Sequence, residues 1–159
     1  VTATPTSTPV ALERYTNPAY PYELGYPRGW QRFVTDPESI HFDGDAGRRI
    51  SVEVQSVPQQ QPPVTLPGYA DVQVEALRKA SSQFVELQRT RIILPNKTAA
   101  FEVDVTWKDG NTPRRALLLY VLDASIAFVV RAEVPPGVFN AERRVLDASL
   151  RSFTLTPPD

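Results

Sequence analysis

Residues 98–107, TAAFEVDVTW, alternate in polarity: Phe101, Val103, Val105 and Trp107 share one side, and Glu102, Asp104 and Thr106 the other. Successive side chains of a strand point to opposite faces, so this period of two predicts a strand buried on one face. KDGNTP (108–113) follows, with an Asp-Gly pair that favours a tight hairpin. ALLLYVL (116–122) is apolar on both parities, the pattern of a central strand covered on both faces. After a short turn at 123–125, IAFVVRAEV (126–134) begins apolar on both faces and ends alternating. The three segments predict an antiparallel meander whose faces the rest of the chain must cover.

Two segments carry helical spacing. Ala70, Val74, Leu77, Ala80 and Phe84 recur at intervals of three and four and predict an amphipathic helix over 69–84. Phe139, Leu146, Leu150 and Phe153 predict a second over 138–153. Between the first helix and the meander, 84–94 reads as a strand with Val85, Leu87, Arg89 and Arg91 on one parity. Upstream, 22–26 reads as a short edge strand. SIHF (39–42) and RRISVEVQSV (48–57) read as further strands, with Ile50, Val52 and Val54 inward. These pieces are expected to extend the main sheet, with Trp30, Phe33 and Val34 entering the core. PQQQPPVTLPG (58–68) is too broken by proline for helix or strand and predicts a loop.

Composition narrows the class. The chain has 159 residues, 42% of them hydrophobic, which suits one packed domain over 14–156 and argues against a disordered chain. Residues 1–13 are Thr/Pro-rich and predict a flexible tether, with 157–159 as a tail. A tether of this kind ahead of one domain leads to the expectation of an exported, extracytoplasmic protein with a lipid anchor upstream. The alternative is an ordinary disordered tail. With no Met, the sequence is expected to be a processed or a trimmed form. A net charge of −1 gives no general attraction to nucleic acid. The absence of Cys excludes disulfides, thiolate nucleophiles and cysteine-ligated metals.

Candidate chemistry is sparse. G-x-S-x-G, P-loop and G-x-G-x-x-G patterns are absent, and a single histidine, His41, leaves little room for a hydrolytic triad. His41 alternates with Ile40 and Phe42 and is expected on the solvent side of its strand. Asp43 and Asp45 with Gly44 and Gly47 suggest half a calcium loop, but Val54 stands where a bidentate Glu would be needed, so a hairpin turn is the better reading. Glu102 and Asp104, two apart on one strand face, have the spacing of an acid/base pair, against the commoner alternative of solvated or arginine-paired charges. The hairpin is expected to bring Arg114 or Arg115 near them. The doublets Arg48-Arg49, Arg114-Arg115 and Arg143-Arg144 have the chemistry for anions, against scattered surface arginines. No catalytic residue, cofactor or metal is expected.

Two motifs bracket the domain. Tyr26-Pro27-Arg28-Gly29-Trp30 resembles the opening motif of PsbP-like and Mog-type domains, and Asp147-Ala148-Ser149-Leu150-Arg151-Ser152-Phe153 resembles the end of their closing helix. The resemblance spans about 15–155. It implies an α+β fold, an antiparallel sheet sandwiched between helices. It also implies a mainly non-enzymatic role: some members are extrinsic subunits that help photosystem II retain calcium and chloride, others bind the GTPase Ran or act as chaperones, and many are bacterial lipoproteins. No site residue carries over.

The sequence therefore predicts a non-catalytic accessory domain that binds a protein partner. Its expected contact surface is the aromatic strip Tyr20, Tyr22 and Tyr26 with the 58–68 loop, since tyrosines supply large contact area with a polar tip. The alternative is a small-ligand or ion-binding domain of the cell envelope that uses its arginine and carboxylate faces.

Overall fold

The structure is a computed structural model and describes residues 9–157. In chain order the elements are β1 (Leu12–Thr16), β2 (Tyr22–Pro27), β3 (Gln31–Asp36), β4 (Ser39–Asp43), β5 (Arg49–Ser56), α1 (Leu66–Ala80), β6 (Ser82–Ile93), β7 (Ala99–Asp109), β8 (Thr112–Asp123), β9 (Ile126–Val134), α2 (Pro136–Arg151) and β10 (Thr154–Leu155). Residues 1–8 of the expected tether lie outside the described residues, whereas Leu12 and Glu13 already belong to β1.

The strands form two antiparallel sheets. The larger has the order β3-β4-β5-β9-β8-β7-β6 and the smaller β1-β2-β10. The meander is the heart of the large sheet, with the β7–β8 hairpin closing at Asp109-Gly110, where Gly110 has φ +63°. β8 supplies both cores, which explains its unbroken apolar run. Leu117, Leu119 and Val121 face the core beneath α2, and Ala116, Leu118 and Tyr120 face the core beneath α1. The first core is the larger and stacks rings from both sheets and α2. Tyr22 lies 5.2 Å from Phe153 and 5.4 Å from Phe128, between centroids, with Phe139, Leu146 and Leu150 of α2 beside them.

α1 starts three residues before the expected position. The Thr65 hydroxyl caps it by accepting from the Gly68 N–H at 3.2 Å, and Pro67 sits in the first turn, where a missing N–H costs no helical bond. The helix ends at Ala80, so Phe84 belongs to β6 rather than to the helix.

Two further expectations are corrected. β2 extends no edge of the main sheet: it is the middle strand of the small sheet, between β1 and β10, and packs against α2. The segment 154–155 pairs with β2 and closes the small sheet. Phe33 and Val34 do not enter the core, being 38% and 51% exposed, because β3 is the outermost strand. Trp30 is half-buried and packs on the core margin.

Candidate binding surface

α1 packs over β6, β7 and β8, which leaves the β3–β5 half of that sheet face without a helix. The antiparallel registers show what lies there. One cross-strand row runs Phe33, His41, Ser51, Arg131, Leu118, Val103. The next runs Gln31, Asp43, Arg49, Glu133, Ala116, Val105. Each row is apolar and buried where α1 covers it, and polar or aromatic where it does not. The uncovered part carries a Phe33–His41 stack with centroids 4.9 Å apart. His41 thus lies on the face opposite Ile40 and Phe42, as the alternation predicts.

At one end of this half-face, β4, β5, β7, β8 and β9 enclose a cleft of about 520 Å³. Four arginines line it. Arg49 grips Asp43 through two bonds, Nε to Oδ1 at 2.7 Å and Nη2 to Oδ2 at 3.0 Å. That pairing holds the Asp43 carboxyl below its usual range. Arg114 reaches Glu133 at 3.3 Å and Asp109 at 3.7 Å. Arg131 meets Glu133 at 3.3 Å and lies over the Trp107 ring, 4.7 Å from its centroid. Arg48 bonds Glu142 of α2 at 2.9 Å. The Nε atoms of Arg48 and Arg131 are buried without an acceptor. The Asp43–Gly47 stretch is the β4–β5 turn, closed by the Gly44 N–H donating to Arg48 O at 2.9 Å, in keeping with the hairpin reading. Among the described residues no group of three or more His, Cys, Asp or Glu could hold a metal.

Glu102 and Asp104 lie on the other face of β7, under α2, so this strand is covered on both faces and not on one. They are 7% and 5% exposed. Arg115 donates to both oxygens of Asp104, at 3.2 and 2.9 Å, and Arg143 of α2 adds a third bond at 3.3 Å. Arg115 also lies 3.8 Å from the Phe139 ring centroid. Of the two arginines expected here, Arg115 is the one that arrives; Arg114 pairs in register with Trp107 on the opposite face. Glu102 receives Arg151 at 3.4 Å. Burial, then Asp147 alongside, pushes its carboxyl up to about 7. Glu102 Oε2 and Asp147 Oδ1 are both buried without a hydrogen bond. The pair and its arginines form a polar clamp that fixes α2 to the sheet.

The expected tyrosine surface is not assembled. Tyr22 is 1% and Tyr26 7% exposed, since their strand lies between the small sheet's partners and the aromatic core. Tyr26 stacks on Phe42 at 4.2 Å, and burial raises the Tyr22 hydroxyl far above its ordinary range. Only Tyr20 stays at the margin, donating to Glu38 at 2.9 Å next to the β3–β4 turn. The Pro/Gln loop borders a separate groove of about 410 Å³ with Ala124. Three of the cleft's arginines belong to doublets with the chemistry for anions, Arg48-Arg49 and Arg114-Arg115, but their convergence with Arg131 and Glu133 was not legible in the sequence.

No family model matches the sequence, and no curated protein matches it. Solved structures do. The chain is similar to cyanobacterial PsbP (CyanoP) from Synechocystis sp. PCC 6803, with a TM-score of 0.69 at 14% identity over 98% of both chains. It is similar to LpqN of Mycobacterium tuberculosis, involved in cell envelope biogenesis, with a TM-score of 0.64 at 11% identity over 92% of both. A protein of unknown function from Pseudomonas aeruginosa, PA94, described as a putative regulator, gives 0.58 at 17% identity over 93% of this chain and 98% of that one. The fold is therefore PsbP-like, an antiparallel sheet sandwiched by helices, as the two bracketing motifs implied. No helix among the described residues is long and apolar enough to cross a membrane.

Proposed function

We propose that the chain is an exported accessory domain of the cell envelope that acts by binding a protein partner, without catalysis. The observation that carries this reading is the half-face left bare by α1, edged by exposed Phe33, with exposed Val34 on the reverse side of the same edge strand. β3 is an edge strand, so it offers unpaired backbone groups beside those side chains, and an extended partner segment has both to bind. Tyr20 borders the same edge through Glu38 and is the part of the expected tyrosine surface retained here. The non-catalytic reading is supported by the arginines that hold Asp104 at both oxygens and Glu102 at Oε1. The similarity to LpqN, named for cell envelope biogenesis, supports the envelope assignment.

The test is a crosslinked pull-down from the source organism's envelope fraction with the full chain as bait. Phe33→Ser with Val34→Ser, both on the outermost strand, is expected to leave the chain folded, as a cooperative urea transition checks, and to lose the partner. Val72→Ser, on the 65%-exposed outer side of α1, is expected to keep it. A partner retained by the double variant would remove this surface.

A further inference from the structure

We infer that the four-arginine cleft is a binding site for a small organic oxyanion, a phosphate or carboxylate carried on a flat apolar group. Its volume of about 520 Å³ exceeds what bare phosphate needs and falls within the roughly 300–1,000 Å³ of small-ligand sites. Its lining carries Arg48, Arg49, Arg114 and Arg131 against Asp43, Asp109 and Glu133, and Arg48 is paired with Glu142 of α2 just outside it.

The acids act here as positioners. Each guanidinium has five donors, and the fork between Arg49 and Asp43 occupies two of them. Glu133 fixes both Arg114 and Arg131 from one side, so two guanidinium groups are held in place before any ligand arrives. Arg49 and Arg114, with side chains 53% and 41% exposed, line the cleft and keep donors that their acids do not occupy, so an oxyanion has these to bind. The Trp107–Arg131 stack gives the wall its flat apolar element. Arginine suits this task because its planar fork matches phosphate and carboxylate oxygens two at a time. The cleft shares the bare half-face with Phe33, but neither Phe33 nor Val34 lines it, so the two surfaces are probed by different substitutions.

The experiment titrates the full chain with phenyl phosphate, benzoate, inorganic phosphate and phenol by calorimetry, following the Trp107 indole N–H by NMR. Phenyl phosphate is expected to bind saturably and shift the indole signal, inorganic phosphate to bind at least tenfold more weakly, and phenol not to bind. Benzoate against phenyl phosphate distinguishes the two oxyanion classes. Arg49→Gln, at a half-exposed side chain that is expected to fold normally, and Arg131→Lys, which keeps the charge but loses the fork, should each weaken phenyl phosphate binding at least tenfold. The Phe33→Ser, Val34→Ser variant should bind it like the parent chain, so failure here and failure of the partner surface are read separately. No saturable binding of phenyl phosphate or benzoate, equal binding of phenol, or binding unchanged in Arg49→Gln would overturn the assignment.

Discussion

The Ser149 hydroxyl of α2 donates to the carbonyl of Gly25, in the middle of β2, at 2.6 Å. Ser152, one turn on, accepts the Gly25 N–H at 2.8 Å. Both backbone groups of one glycine are thus paired by the closing helix. The two motifs that bracket the chain in sequence meet here in space, and each is intelligible through the other. The serines of the closing motif hold the strand that runs into the opening motif.

Ser149→Ala should therefore cost about 1–3 kcal/mol, because the carbonyl of the buried Gly25 loses its main donor and keeps only Ser152 Oγ at 3.4 Å. Gly25→Ala should also destabilise, since the added Cβ would sit 2.9 Å from Leu12 Cδ1 and 3.0 Å from Ser152 Oγ. Urea unfolding measures both. A Ser149→Ala variant as stable as the parent would show that this contact does not hold the small sheet.

The Glu102–Asp147 contact predicts an unusual pH dependence. The Glu102 carboxyl has a folded-state pKa of about 7 against a reference of 4.5. Between those values the folded chain holds a proton that the unfolded chain releases, so stability falls as pH rises through this window. A proton on the Glu102 carboxyl relieves its burial and its repulsion by Asp147, and above about pH 7 it is lost. Unfolding free energy should drop by roughly 1–3 kcal/mol from about pH 5 to pH 8. Glu102→Gln, a neutral donor at the same place, should flatten the profile and be the more stable form at pH 8. Equal slopes in the two proteins would refute the proton on Glu102.

Asp104 is held by Arg115 and Arg143, and removing Arg115 leaves a 5%-exposed carboxylate with one long bond. Arg115→Ala should cost about 3 kcal/mol, through the uncompensated charge and the lost contact with Phe139. The double variant with Asp104→Asn should recover part of that loss, and a double-mutant cycle measures the coupling.

Gly44 lies against the Trp30 indole, where an added Cβ would come within 2.5 Å of the ring. Gly44→Ala should displace Trp30 and cost about 1–3 kcal/mol. The readout is a changed tryptophan emission together with a lowered melting temperature; an unchanged spectrum would contradict the packing.

The meander, both helices and the β4 and β5 strands were legible because each rests on local alternation or helical spacing. The Asp104–Arg115 pair was half legible, since the 109–110 hairpin sets its register within a few residues. The other half of the clamp comes from α2, whose azimuth over the sheet no local pattern records. The small sheet was missed for the same reason. β2 pairs with β1 and β10, and β10 is too short to announce itself. Once β2 is central, Tyr22 and Tyr26 become core rings, and tyrosine alone does not signal which side of a strand will be covered. Phe33 and Val34 erred in the opposite sense: they look apolar enough for a core, but β3 is the last strand of its sheet. The cleft draws on five strands, and only the assembled registers bring its arginines together.

The most direct test of the accessory-domain reading is photo-crosslinking in the source organism's envelope fraction, with the crosslinker at position 33 in one protein and at position 72 in another. A single reproducible protein adduct from position 33, absent from position 72, is the predicted result. Adducts from position 72 alone, or none from position 33, would contradict a docking surface on the bare half of the sheet.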